Sequence, residues 1–288
     1  MSDNRIILKN STGLVIEFLD NGAIKSIEAG PIRINLNEGT PHSIPGSNLF
    51  LRKRSGPISF TALLGPESDS QFYATKNALY VDGSWEGLDY ECILRLSPDD
   101  YAWQWQITII NTTGNPEELD LVYLQDVGMK ALNAGLINEY YVAQYLERRI
   151  LEDDAYGRVV CCRQNMKEST GHPWLMTACK NGAAAASTDG ILFYGNTYRG
   201  TGIPESLLSG ALGGEYSGES PIVALQERPF RLNGGEGHSS IFAALYLPDH
   251  SEATSENDLK KLTGLFEEFP SGTPSLGEGW SPCRKLFK

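Results

Sequence analysis

The sequence has no apolar run long enough to span a bilayer and no excess of basic residues. Its 288 residues contain 24 Lys and Arg against 36 Asp and Glu, and the formal net charge is −12. Nucleic acids and anionic membranes are bound mainly through basic side chains, and a membrane helix needs about 20 consecutive apolar residues. The N-terminus has no basic segment before an apolar run, so no signal peptide is expected. We predict a cytoplasmic protein with no nucleic-acid and no membrane partner.

Cysteine and histidine are too few and too scattered for the common metal sites. The five cysteines form no CxxC pair, and the four histidines lack a second-ligand spacing. The motifs HExxH, GxxxxGK[ST] and GxSxG are absent. We predict no metal, no cofactor and no catalytic residue in this chain. Cys161 and Cys162 would point to opposite faces of a strand, which favours burial of one of them as a small hydrophobe.

Short apolar runs separated by Gly, Pro, Asn and Asp fill the first 250 residues. Alternation is clearest in residues 101–110, where Trp103 and Trp105 share one face and Gln104 and Gln106 share the other. Because no helices alternate with the strands, the pattern predicts an all-β fold, a large β-sandwich of two antiparallel sheets. The predicted strands include, late in the chain, residues 158–163, 174–180, 190–195, 221–230 and 240–247.

The composition changes after Pro248. Apolar residues at helical spacing follow Ser255, and Asp258 three residues later completes the pattern of an N-cap. We therefore predict a β-sandwich domain over residues 1–250 and a C-terminal helix and linker-like tail over residues 251–288. Residues 138–153 fit either a helix or a strand, and the sequence leaves this choice open.

Aromatic side chains are frequent for an acidic β-protein, with 5 Trp, 13 Tyr and 10 Phe. Sugars pack their C–H faces on aromatic rings and need amides, carboxylates or Arg for their hydroxyls. Arg163, Gln164, Asn165 and Trp174 flank one loop and are therefore candidates for binding a sugar. In the competing interpretation, Trp174 belongs to the core and the amides bond to loop backbone.

Several motifs in the same order resemble the N-terminal region of inverting glycoside phosphorylases, in particular the 1,2-β-oligoglucan and cellobiose phosphorylases. The resemblance covers most of the stretch from Tyr123 to His250 and is faint before it. The motifs that carry it are residues 123–128 (YLQDVG), 138–147 (NEYYVAQYLE), 160–165 (VCCRQN), 173–176 (PWLM), 187–190 (STDG), 193–195 (FYG) and 243–250 (AALYLPDH).

The resemblance implies a β-supersandwich of galactose mutarotase-like shape, joined by linker helices to a separate (α/α)₆ barrel. In that family the catalytic Asp and the phosphate-binding residues lie in the barrel, so none is transferred to this chain, and this chain is not expected to be active alone. The family further implies a homodimer acting on a β-linked oligoglucoside, with inorganic phosphate as co-substrate. Two loops would reach the partner subunit's substrate groove: Arg163–Asn165, and the segment that contains Tyr198 and Arg199.

Two other functions remain open on the sequence alone. The chain could be a stand-alone carbohydrate-binding module. It could also be an aldose epimerase-like enzyme, with Glu236 as base and His172 or His238 as acid within hydrogen-bond reach. The linkage and length of the sugar are not predicted.

Overall fold

The structure, a computed structural model, describes residues 6–40, 46–75, 78–132, 144–218, 220–266, 269 and 281–282. These residues form a five-stranded and a fifteen-stranded β-sheet that share one hydrophobic core. The all-β fold is confirmed. The small sheet has the order β1 (Ile6–Lys9), β2 (Leu14–Phe18), β3 (Ile24–Ala29), β4 (Ile32–Arg33) and β12 (Lys130–Ala131).

The large sheet follows a long path with two side branches. β13 (Leu146–Asp153) pairs with β14 (Gly157–Gln164), and β18 (Phe230–Leu232) pairs with β11 (Glu117–Asp126). The path itself has the order β20 (Ser281–Pro282), β7 (Gln71–Ala74), β8 (Ala78–Trp85), β9 (Leu88–Leu96), β10 (Ala102–Asn111), β19 (Gly237–Leu247), β15 (Trp174–Cys179), β14 (Gly157–Gln164), β16 (Ala183–Asp189), β17 (Pro221–Glu227), β11 (Glu117–Asp126), β5 (Asn48–Lys53) and β6 (Ser59–Ala62).

The large sheet consists of two antiparallel halves. They are joined where β14 meets β16 through a single parallel pair, Gly157 with Ala183. The halves enclose the core between them. The ring of Tyr123 in β11 stacks on that of Phe242 in β19 with 5.7 Å between centroids. Such stacked pairs add about 0.5–1.5 kcal/mol to the burial of the two rings.

Strand β10 shows why the sequence folds into this sandwich. Trp103, Trp105, Ile107 and Ile109 are buried in the main core, as their alternation predicts. Burying a large apolar side chain stabilises the fold by roughly 1.5–3 kcal/mol, so a one-residue slip in register would expose all four. The opposite face of β10 carries Gln104 and Gln106, and it points away from this core.

The hairpin between β2 and β3 turns at Asn21-Gly22. Gly22 has a positive φ of 77° and its amide donates to the carbonyl of Leu19 at 2.9 Å. A Cβ on Gly22 would lie 2.1 Å from the ring of Phe72. Glycine is therefore required here for both the backbone conformation and the packing.

The strand predicted over residues 190–195 is wrong. A short helix, Gly190–Tyr194, occupies this stretch, and the strand lies just before it as the alanine-rich β16. The side chain of Asp189 caps the helix by accepting from the amide of Leu192 at 3.0 Å, and Gly195 ends it with φ 76°. Alanine is a poor strand former, so the sequence pattern did not indicate β16.

A helix after Pro248 is present, but it is mostly a 3-10 helix. The 3-10 helix Glu256–Lys261 continues into the α-helix Leu262–Leu265. Ser255 and Asp258 form a reciprocal capping box, as predicted. Within the described residues, no helix is long and apolar enough to cross a membrane. The division into domains at residue 250 stays a prediction.

The C-terminal helical segment explains the burial of both adjacent cysteines. Cys162 faces the main core, whereas Cys161 lies on the outer face beneath Leu262 and Leu265. Burial raises the pKa of the Cys162 thiol to about 12, so this thiol is protonated near neutral pH. We expected one of the two cysteines to be buried, and both are buried, because the helical segment covers the outer face.

The ambiguous stretch 138–153 is a strand in its second part. Residues 146–153 form β13, which pairs along its whole length with β14. Residues 138–143 lie outside the described residues.

Candidate functional site

Three of the residues predicted to bind sugar converge on the chain after Pro248. Arg163 is buried in β14, and its Nε and Nη2 atoms donate to the carbonyls of His250 and Ser251 at 2.8 and 2.9 Å. Its Nη1 donates to Asn165 Oδ1 at 2.5 Å. The ring of Trp174 is fully buried and stacks on His250 with 4.9 Å between centroids. These side chains attach the C-terminal segment to the large sheet.

Gln164 lies on the other face of β14, because side chains alternate along a strand. It is fully buried, and its Nε2 donates to the carbonyl of Gly128 while its Oε1 accepts from the amide of Met166. The interpretation of the amides as partners of loop backbone therefore describes Gln164 well. Sugar binding by Arg163, Gln164, Asn165 and Trp174 stays a prediction.

Asp258 connects the C-terminal helical segment to this cluster. Its Oδ1 lies 2.8 Å from His250 Nε2 and 2.7 Å from Lys261 Nζ, and its Oδ2 accepts from the amide of Ser255 at 2.9 Å. Burial raises the pKa of Asp258, but the hydrogen bonds from Lys261, Ser255 and His250 outweigh it and leave that pKa below the usual value. The carboxylate is therefore the form that keeps the cap.

Tyr198 and Arg199 lie elsewhere, on the segment 190–216 between β16 and β17. They belong to the short helix Tyr198–Thr201, where Arg199 is exposed and Tyr198 is half-buried. The ring of Tyr198 packs on that of Tyr194 with 4.6 Å between centroids. The structure thus separates the six predicted residues into two places.

A buried ionic network attaches the segment 190–216 to the sheet. Asp120 in β11 accepts from Arg52 Nε and Nη2 at 2.6 Å each and from Arg54 Nη1 at 2.8 Å. Gln226 Nε2 donates to the same carboxylate at 2.8 Å. Arg52 Nη1 then reaches the backbone carbonyls of Ser206, Leu207 and Ser209. None of these network residues was identified from the sequence, since their positions are far apart along the chain.

The segment 190–216 exposes several large hydrophobic side chains. Eight large hydrophobic side chains among the described residues are exposed, and most of them lie here. We call this group the apolar segment surface: Ile191 (56% exposed), Leu192 (44%), Ile203 (43%), Leu208 (49%) and Tyr216 (52%). Exposed apolar patches commonly mark sites of protein–protein contact.

The pairing of Glu236 with His172 or His238 does not form. Glu236 accepts from the backbone and side chain of Asn233 in an exposed turn, and His172 Nδ1 lies 3.2 Å from the carbonyl of Gln164. His238 Nε2 instead lies 3.0 Å from the buried carboxylate of Glu227. The sequence around Glu227 does not predict this contact, because Glu227 lies in β17 and its partner His238 lies in β19.

Residues 17–243 match the family of SOGP N-terminal domains, which is more than half of the chain. The chain belongs to this family. The matched range includes Arg163, Trp174 and the whole segment 190–216. It ends before His250 and the C-terminal helical segment. The resemblance to the N-terminal region of glycoside phosphorylases is confirmed.

Among curated proteins, this SOGP N-terminal domain is similar to a 1,2-β-oligoglucan phosphorylase from Listeria innocua serovar 6a. The two are 30% identical over 190 residues. The aligned part is 62% of this chain and 17% of the relative. The chain therefore spans a small fraction of the length of the phosphorylase that it matches.

Solved structures of low sequence identity share the fold of this domain. A putative aldose 1-epimerase from Escherichia coli K12 superimposes with a TM-score of 0.50 and 8% identity, covering 85% of this chain and 99% of the epimerase. A bacterial glucoamylase complexed with acarbose also gives a TM-score of 0.50, with 9% identity, covering 91% of this chain and 36% of the glucoamylase. The galactose mutarotase-like β-sandwich is thus the observed fold, and these likenesses concern fold alone.

Proposed function

We propose that this SOGP N-terminal domain is a non-catalytic domain of a β-glucan phosphorylase that acts on 1,2-β-oligoglucans. The identity to a 1,2-β-oligoglucan phosphorylase over 190 residues carries this proposal. In this function the domain works beside a separate (α/α)₆ barrel in the cytoplasm. The barrel performs the chemistry with inorganic phosphate, and the β-supersandwich shapes the substrate groove and the dimer interface.

The apolar segment surface supports the part of this proposal that concerns the dimer. Homodimer interfaces are more apolar than the rest of a protein surface, and a two-fold interface uses the same patch on both subunits. The buried network around Asp120 holds the segment in one position, so the patch is already formed before association. We assign the second subunit as its partner.

Tyr198 and Arg199 support the part that concerns the substrate groove. They lie on the same segment as the apolar segment surface, and a half-buried aromatic ring and an exposed guanidinium suit a sugar ring and its hydroxyls. A dimer formed through this surface would bring both side chains to the neighbouring subunit. The loop with Arg163 and Asn165 is the second candidate for this role, although its side chains are engaged with the C-terminal segment.

Two measurements test the proposal. The purified chain is incubated with a 1,2-β-oligoglucan and inorganic phosphate, and we expect no glucose 1-phosphate. The mass of the native protein in its source cells is read by immunoblot, and we expect a band several-fold heavier than 31.6 kDa. Release of glucose 1-phosphate by this chain would contradict the non-catalytic assignment, and a band at 31.6 kDa would favour a stand-alone binding module.

A further inference from the structure

Three Asn-Gly pairs occur in the sequence, and they begin at Asn21, Asn181 and Asn233. Asparagine is a thermolabile residue. It loses its side-chain amide most readily before glycine, because glycine has no Cβ to hinder the approach of its backbone nitrogen to the asparagine side chain. The reaction needs two groups to be free: the backbone N–H of the glycine and the side-chain amide of the asparagine. The three pairs differ in both groups.

The pair at Asn21 is held by the hairpin between β2 and β3. Gly22 donates its amide N–H to the carbonyl of Leu19 at 2.9 Å. Asn21 is buried, and its Oδ1 accepts from the amide of Ala23 at 3.1 Å. The attacking nitrogen is therefore engaged, and the side chain that it would attack is fixed inside the protein.

The pair at Asn181 is exposed at the asparagine but is also held. Gly182 is buried and donates its amide N–H to the carbonyl of Cys179 at 3.0 Å. The Nδ2 of Asn181 donates to Glu227 Oε1 and to the carbonyl of Ser239, at 2.8 Å in each case. These hydrogen bonds have to break before the two groups can react.

The pair at Asn233 is open. It lies in the turn between β18 and β19, and both Asn233 and Gly234 are exposed. The amide N–H of Gly234 donates to no residue that the structure describes. Within the described part of the chain, Nδ2 of Asn233 donates only to Oε2 of the exposed Glu236, at 2.9 Å. Gly235 follows with a positive φ of 81°, and two consecutive glycines restrict the backbone least.

We propose that Asn233 is a site of spontaneous deamidation in the folded chain. The backbone nitrogen of Gly234 attacks Cγ of Asn233, the new C–N bond closes a cyclic succinimide, and Nδ2 leaves as ammonia with the proton of the attacking amide. Water then opens the ring at either carbonyl, which gives an aspartyl or an isoaspartyl residue. Water is the only co-reactant, and nothing is oxidised or reduced. This inference does not depend on the proposed function.

The product places two carboxylates against each other. Glu236 Oε2 accepts from both the backbone N–H and Nδ2 of Asn233, at 2.9 Å in each case. These two hydrogen bonds hold the pKa of Glu236 below its usual value, so this side chain is charged near neutral pH. Deamidation replaces the donor Nδ2 by an oxygen that only accepts. The two negative charges then repel each other across the turn.

This repulsion acts on the turn and on the end of β10. The backbone carbonyl of Glu236 accepts from the amide of Asn111 at 3.0 Å, and Gly235 donates to the carbonyl of Asn111 at 2.7 Å. Asn111 is fully buried, and its Nδ2 donates to the carbonyl of Leu232 at 2.9 Å. We therefore expect deamidation to loosen the turn and the last residue of β10, without unfolding the chain.

The test follows all three pairs in one sample of the full chain. The chain is incubated in mildly alkaline buffer and digested, and mass spectrometry of the peptides detects the replacement of NH₂ by OH. We expect Asn233 to deamidate at least about tenfold faster than Asn181 and Asn21, since hydrogen bonds that must first break protect the other two. In concentrated urea the three should react at similar rates, because the fold then protects none of them.

The matched variant is Asn233→Gln, whose longer side chain closes a ring far less readily. It should remove the fast reaction and leave the slow reactions at Asn181 and Asn21 unchanged. Deamidation at Asn233 that is no faster than at the other two pairs would overturn the proposal. A rate difference that persists in urea would also overturn it, because the difference would then come from the local sequence and not from the fold.

Hydrogen exchange tests the effect on the turn. Anion exchange separates the deamidated chain, because it carries an additional negative charge. We expect faster exchange of the amides of Asn111 and Gly235 in this form, with the amide of Ala243 in the middle of β19 unchanged. Identical exchange in the two forms would contradict the predicted loosening.

Discussion

Arg52 and Arg163 both attach an irregular segment to the large sheet, but they do so in different electrostatic surroundings. Arg52 donates to backbone carbonyls in residues 206–209, and Arg163 donates to those of His250 and Ser251. In each case a guanidinium satisfies carbonyl oxygens that no strand partner reaches. A planar cation with five donors suits this task.

We call Arg52 the first anchor and Arg163 the second anchor. The two differ in the side chain that accepts hydrogen bonds from the guanidinium. Arg52 is paired with the fully buried carboxylate of Asp120, whereas the side-chain acceptor of Arg163 is the neutral amide of Asn165. A buried ion pair is costly to break, because removal of one partner leaves an unpaired charge in the interior. Attachment of the segment 190–216 therefore combines this buried ion pair with the packing of Phe193, Leu207 and Leu212, whereas the C-terminal segment relies on its helix cap and on packing.

The largest effect should come from breaking the first anchor. Asp120→Ala leaves Arg52 buried and unpaired, so we expect the free energy of unfolding to fall by about 3–5 kcal/mol, measured by urea denaturation. The double variant Arg52→Met with Asp120→Leu should recover part of this loss, because the two fully buried charges are then absent and the remaining cation, Arg54, is partly exposed. A double variant as unstable as Asp120→Ala would show that the attachment itself, rather than the unpaired charge, dominates.

Breaking the second anchor should destabilise the chain less, and the effect should be confined to the C-terminal segment. Arg163→Met removes two hydrogen bonds from a charged donor to the partly buried carbonyls of His250 and Ser251, and a hydrogen bond to a charged group contributes about 1.5–3 kcal/mol. We expect faster hydrogen exchange in residues 250–266 with β10 still protected. Arg158→Met, on the more exposed end of β14, is the matched control. Uniform loss of protection over the whole chain would contradict a local role.

Acid should loosen the C-terminal anchor. The folded-state pKa of Asp258 lies below its unfolded value, so its contribution is complete above the unfolded pKa and is lost as the pH falls through the folded pKa. Loss of a helix cap costs about 1 kcal/mol. Hydrogen exchange of residues 256–265 should therefore accelerate below about pH 4, and Asp258→Asn should show the fast rate already at pH 7. An unchanged pH profile in Asp258→Asn would assign the acid response to another group.

The smallest effect on stability should come from the apolar segment surface. The C-terminal segment points Leu262 and Leu265 into a core cluster, whereas the segment 190–216 points Leu208 outward. Leu208→Glu should change the free energy of unfolding by no more than about 0.5 kcal/mol but should reduce self-association, measured by light scattering. Ile7→Glu, an equally exposed residue of β1, is the control. Equal loss of dimer in both variants, or in neither, would argue against this surface.

Local patterns predicted the parts of the fold that depend on neighbours in sequence. The alternation around Trp103 and the cap at Ser255 are both confirmed. Each depends on contacts within a few residues or on a period of two along one strand. The sequence patterns did not predict the helix at Gly190–Tyr194, because its apolar residues also fit a strand and Asp189 was not recognised as a cap.

Local sequence patterns predicted the candidate sites much less well than they predicted the fold. The sequence indicated Arg163 and Trp174 as a sugar site, and the structure shows both attached to the C-terminal segment. The three Asn-Gly pairs look alike in the sequence, but hydrogen bonds protect only two of them. The acceptors of Asn181 lie 46 and 58 residues away along the chain, so no single segment shows this protection.

The sequence by itself determined the class of fold, the face that β10 buries and the family to which the chain belongs. These properties follow from local periodicity and from motifs that stay in order along the chain. Only the tertiary structure decided that Arg52 meets Asp120, 68 residues away, and that Asn181 is held by distant acceptors. Such contacts result from the burial of a shared core, which brings together residues with no local reason to meet.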